Sequence, residues 1–110
     1  MNSQQLEILA LAISEMNSAH TPKSEAFVYK NPGKLREPNG NLRTFSTWAG
    51  GLKSLISDLS RFASDESLLT VLGKYGCSTI EREFVVLDFL TQSLGTPVEA
   101  TATLSIIEVA

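Results

Sequence analysis

The sequence predicts a small, mainly α-helical domain spanning residues 1–110, with a minor β-hairpin between the first two long helices and an apolar helix through the middle. Three observations lead there. Trp48, Leu52, Leu55, Leu59 and Phe62 recur at intervals of four, three, four and three, which places one apolar stripe on one helix face. Ile80 to Leu94 is apolar almost all round and follows a capping sequence, as a central buried helix would. The β-prone stretches Ala26–Tyr29 and Thr101–Val109 are short beside these helical patterns.

Taken in order, Ser3 can cap a first helix running to about Asn17. Leu6, Ile8, Leu9, Leu11, Ala12, Ile13 and Met16 make more than one stripe, so this helix is expected to be buried on two sides. Ser18 to Glu25 reads as loop, and Ala26–Tyr29 as strand or extended chain. Turns follow at Asn31–Gly33 and Pro38–Asn41, and Leu42–Phe45 can pair back on Phe27–Lys30 as the hairpin. Ser46 is the expected cap of the second long helix, where Gly50 and Gly51 would permit close backbone packing. Ser64 and Asp65 restart the chain before a short helix over Leu68–Leu72 that ends near Tyr75-Gly76. Ser78-Thr79-Ile80-Glu81 reads as a capping box, and Gly95 stops the apolar helix. In residues 96–110, Thr96-Pro97 resembles a helix start while Thr101–Val109 is β-branched; a partly extended, packed tail is expected.

Composition narrows function. The chain is 43% hydrophobic with net charge −3 and pI near 5.0, which argues against generic nucleic-acid binding. Charge is nevertheless lopsided: Lys30, Lys34, Arg36 and Arg43 cluster around a turn-rich segment, and no cation follows Arg82. The single cysteine, Cys77, allows no intramolecular disulfide, and one His with one Cys cannot build a usual zinc site, so no cofactor is expected. Met1–Gln5 lacks a basic leader and no apolar run reaches spanning length, so neither signal peptide nor membrane span is expected.

Among single residues, Glu15 continues the row Ile8, Leu11 at the end of the first helix. It is either a solvated surface charge or a carboxylate desolvated at an apolar edge, whose raised pKa would suit a general acid. His20 reads as a surface histidine or, less simply, a catalytic or pH-sensing one. Trp48 reads as core before ligand stacking, and Tyr75 as packing or cleft-lining. Cys77 reads as packing, or as a thiol activated by the helix start behind it.

With the order helix, Glu15, Asn31-Pro32-Gly33-Lys34-Leu35-Arg36, Phe45-Ser46-Thr47-Trp48, Gly50-Gly51-Leu52, Leu68–Tyr75 and Phe84–Gly95, the chain resembles lysozyme-like cell-wall-degrading proteins of phages and bacteria. The resemblance is to those with an Asn-Pro-Gly-Asn-Ile/Leu-Arg loop, related to bacterial glucosaminidases. It departs at Lys34, where the pattern has Asn, and at Met16, where it has Ser. The resemblance implies a lysozyme-like helical domain acting on or binding peptidoglycan, with Glu15 protonating the glycosidic oxygen. It implies that Asn31, Pro32, Gly33, Lys34 and Arg36 form the glycan-binding loop, with Asp58 or Glu25 as a second carboxylate. A different class of reading is a non-catalytic phage-encoded binding protein, a virion component or an inhibitor of a host defence complex. It would work in the virion or the bacterial host cytoplasm. A third is a homo-oligomer joined through the apolar tail Leu104–Val109.

Overall fold

The computed structural model describes residues 1–109, and Ala110, the last residue of the expected tail, lies outside them. About half the chain is helical: α1 (Ser3–Met16), α2 (Glu25–Val28), α3 (Trp48–Leu59), α4 (Leu68–Gly73), α5 (Ile80–Leu94) and α6 (Ser105–Val109). The fold is mainly α. Among the described residues the only β pairing is two isolated antiparallel bridges, Arg36 with Leu42 and Ser67 with Thr103.

The central helix is α1, not α5. Leu6, Leu9, Ala10, Ala12, Ile13, Ser14 and Met16 are all buried, and α3, α5 and α6 each pack on α1. Small residues explain this, because Ala10, Ala12 and Ser14 let neighbours approach from several directions. Burial has one cost: the Ser14 hydroxyl has no partner. On α5 only Val86 and Leu90 are fully enclosed. The expectation of a central apolar α5 fails because Glu81 and Asp88 share one arc with Ile80, Phe84 and Val85. Carboxylates must reach water, and their apolar neighbours are exposed with them.

Caps set the helix starts, often one residue from the expected one. Asn2, rather than Ser3, caps α1 in a reciprocal box with Gln5. Thr47, rather than Ser46, caps α3 by accepting from Gly50 N at 3.0 Å. Thr79 caps α5 by accepting from Arg82 N, so the expected box from Ser78 to Glu81 does not form. Gly95 ends α5 in the left-handed region at φ 71°, where a glycine carries no Cβ penalty.

Local capping also overrides strand propensity at Ala26–Tyr29. Ser24 Oγ accepts from Phe27 N at 3.1 Å, Ala26 is buried, and the segment becomes α2. One bond of the expected hairpin survives, Phe45 N to Tyr29 O at 3.0 Å. The antiparallel contact moves instead to the second turn: Arg43 N donates to Leu35 O at 2.9 Å and Glu37 N to Asn41 O at 2.7 Å.

The chain after α5 is extended through the Ser67–Thr103 bridge before it closes as α6. Leu68 N donates to Ala102 O and Leu104 N to Glu66 O, both at 3.0 Å. Leu104 and Ile107 are buried in the core, so those two side chains are not available to join two copies. No helix among the described residues is long and apolar enough to cross a membrane.

Candidate binding cleft

The cleft is built by one buried asparagine. Asn31, 1% exposed, donates from Nδ2 to the carbonyls of Leu35 at 2.9 Å and Arg43 at 3.0 Å, and its Oδ1 accepts from Leu35 N at 2.9 Å. One side chain therefore closes the loop and ties it to the strand-like limb that returns past it. The loop holds Lys30 and Lys34 at φ 53° and 50°, a left-handed conformation that costs an L-residue roughly 1–2 kcal/mol. Such strain persists only where the surroundings impose it, and Asn31 is what imposes it at Lys34. Below the loop, α3 must come very close. A Cβ on Gly51 would strike the Lys30 carbonyl and the Pro32 ring, and one on Gly33 would fall 2.6 Å from Leu55 Cδ1. The close backbone packing expected of the Gly50-Gly51 pair is thus found at Gly51.

From the other side, Asn17 at the end of α1 donates Nδ2 to Pro32 O at 3.0 Å. Its Oδ1 accepts from Arg82 Nη1 at 3.1 Å. Arg82 thereby stands over the C-terminal end of α1, where a cation is favoured by the helix dipole.

These constraints shape a cleft of about 570 Å3 between the loop, the second half of α3 and the end of α4. Of the nine Lys and Arg in the chain, five line it: Lys34, Arg36, Arg43, Arg61 and Lys74. Its one carboxylate is Asp58. Tyr75, buried, donates its hydroxyl to Asp58 Oδ2 at 2.5 Å, and Arg61 Nη2 lies 3.6 Å from the same oxygen. Burial, then the bond to Asp58, pushes the Tyr75 hydroxyl above its ordinary value, so it stays a donor. Arg61 and Lys74 stand 5.0 and 4.8 Å from the centroid of the Phe62 ring, so one aromatic side chain steadies both cations. Lys34 and Arg43 have only long ion pairs, 3.9 Å to Glu25 and 3.7 Å to Glu37, and both glutamates are exposed. The excess of positive charge is therefore real and poorly neutralised within the protein.

Of the residues the sequence suggests for the binding loop, Gly33, Lys34 and Arg36 line the cleft, while Asn31 and Pro32 lie beneath it as framework. Glu15 is exposed and faces elsewhere, in a groove of about 400 Å3 with Val85, Asp88, Phe89, Gln92 and Ser93. Of the two readings its position offers, the exposure agrees with the solvated charge. Asp58 lies in the cleft and Glu25 does not. Trp48 turns away from the core cluster and lies 5.0 Å, centroid to centroid, from His20, with Phe27 and Lys30 beside them. Cys77 is half-buried, and burial followed by the charge of Glu83 pushes its thiol up, the opposite of an activated nucleophile. Ser54, Ser57, Arg61 and Lys74 carry no motif. They are reached only because α3 and α4 converge on the loop, and local spacing holds no trace of that.

No family model, curated protein or solved structure matches this chain. The functional reading therefore stands on the chemistry of the cleft.

Proposed function

We propose that this protein binds peptidoglycan through the basic cleft, as a binding domain of the virion rather than as a glycosidase. The observation that carries the reading is the convergence of five cations on one cleft in a chain of net charge −3. Peptidoglycan offers the matching chemistry. Its lactyl and stem-peptide carboxylates pair with Arg36 and Arg43, whose planar guanidinium groups suit carboxylates. Its hydroxyl and amide groups suit Ser54, Ser57, Tyr75 and Asp58, which bring both donors and an acceptor to the same opening. The lysozyme-like resemblance of the Asn31–Arg36 loop supports this ligand class. Glu15 lies outside the cleft lining, and that supports binding over cleavage.

The test is co-sedimentation with purified sacculi. Wild-type protein and Glu15→Gln are expected in the pellet, and Arg36→Glu/Arg43→Glu in the supernatant. Added salt is expected to release the wild type, because exposed charges are screened over a Debye length of about 10 Å at 0.1 M. Equal pelleting of the charge-reversed protein, or none by the wild type, would sink the proposal.

One observation favours a second reading. Glu15 shares its groove with Asp88, and a pair of carboxylates is what glycoside hydrolysis uses. Clearing of a sacculus suspension that disappears with Glu15→Gln would establish it in place of the first.

A further inference from the structure

The second feature of this molecule is the outer face of α5. Ile80 and Phe84 are 64% and 65% exposed, and Val85 is 42% exposed. Ile80, Phe84 and Asp88 follow one another at intervals of four, and Glu81 and Val85 lie beside them, so all five share one side of the helix. A contiguous apolar patch rimmed by charge marks an interaction surface more often than a scattering of single residues does. The surface is also shaped. Val85 and Asp88 form a ridge with a groove on each flank, the one that holds Glu15 and another of about 600 Å3 lined by Phe84, Leu87, Thr91 and Val98.

Charge selects the occupant. No Lys or Arg lines either groove. Glu15, Glu81 and Asp88 are all exposed. The nearest cation in the chain, Arg82, is turned inward onto Asn17 and the Met16 carbonyl. A symmetric pairing of two α5 faces would set carboxylates against carboxylates, a like-charge juxtaposition that disfavours association. Docking of this face into the basic cleft of a second copy would satisfy the charges. It would strand the apolar residues, because Leu35 is the one aliphatic side chain in that lining. An anionic lipid surface would repel the same carboxylates. What fits is a cationic, amphipathic α-helix, whose apolar stripe covers Phe84 and Val85 while its Lys or Arg residues meet Asp88, Glu81 and Glu15.

We propose that the outer face of α5 is a docking site for a basic amphipathic helix of a partner protein, separate from the cleft. The probe is a synthetic Leu/Lys amphipathic helix carrying a fluorophore, with a Leu/Glu helix of equal length as its counterpart. Anisotropy is read against the full chain. The Leu/Lys helix is expected to bind and the Leu/Glu helix not. Phe84→Ser and Asp88→Lys are each expected to weaken binding on the order of tenfold, the effect of losing one anchoring contact. Asp65→Lys, an equal charge change at an exposed position off this face, is expected to leave it unaltered. Both variants alter solvent-exposed side chains, and circular dichroism checks that they fold. Equal binding of the two helices, or equal loss with Asp65→Lys and Asp88→Lys, would overturn the site. So would self-association of the protein that Phe84→Ser abolishes. Peptidoglycan binding plays no part in these measurements, so the cleft and this face stand or fall separately.

Discussion

The cleft and the outer face of α5 solve the problem of surface recognition in different ways. In the cleft the backbone is held by Asn31 in the left-handed region at Lys34, and the charged groups project from that hydrogen-bonded frame. On α5 the frame is an ordinary capped helix, and the recognition elements are exposed side chains free to change rotamer. The cleft is positive and polar, the helix face negative and apolar. A preorganised polar site loses little entropy when a ligand with fixed charges arrives, whereas an apolar ridge tolerates variation in what covers it. The difference teaches that a strained residue, Lys34, sits where the direction of a charge matters, while the α5 face, where contact is mainly area, carries no such strain.

Substitutions can separate the two. The largest effect is expected from Gly51→Val, which drives side-chain atoms into the Lys30 carbonyl and the Pro32 ring. Overpacking of this kind costs about 3 kcal/mol, read as a lowered urea midpoint. Sacculus binding is expected to vanish while Leu/Lys helix binding persists. Loss of both would show that the faces are not independent.

A smaller effect comes from alkaline pH. The Tyr75 hydroxyl is raised in the fold above its ordinary value of 10.0, so the unfolded chain gives up that proton first. The stabilisation is fully present below about pH 10 and declines as pH rises beyond it. Urea midpoints followed from about pH 8 to 11 are expected to fall, and Tyr75→Phe to remove that part of the fall. An unchanged pH profile in the variant would mean that the cleft floor does not titrate as described.

The smallest expected effect is from Lys34→Asn. Asn accepts φ near 50° more readily than Lys, so relief of strain should raise stability by up to about 1 kcal/mol. The lost cation should at the same time weaken sacculus binding a few-fold. Stability and affinity moving in opposite directions would mark Lys34 as strained for function.

Much of the helical scaffold was legible before any coordinates. Leu52, Leu55 and Leu59 pack on the core as their period requires, while Trp48 turns away and Phe62 lies past the end of α3, and Gly95 stops α5 where expected. What misled was local propensity where a cap competed with it, as at Ser24 before Ala26–Val28. Apolar content misled in another way, since α5 is richer in large apolar residues yet α1, with its small ones, sits at the centre. The loop was visible through its turn residues and charges. Its logic was not, because Asn31 acts on Leu35 and Arg43 by contacts that only the folded path creates. Arg61, Lys74 and Asp58 were invisible as a group for the same reason: they are assembled by convergence, and convergence leaves no period in a sequence.

Asn17 has a consequence of another kind. Arg82 can only donate and the Pro32 carbonyl can only accept, so the amide between them has a single permitted orientation. Asp at this position would meet Arg82 but turn an acceptor toward Pro32. Leu would meet neither. The joint thus has a direction: Asp at residue 17 would be felt at the base of the cleft loop alone, whereas Leu would be felt there and at the first turn of α5 together.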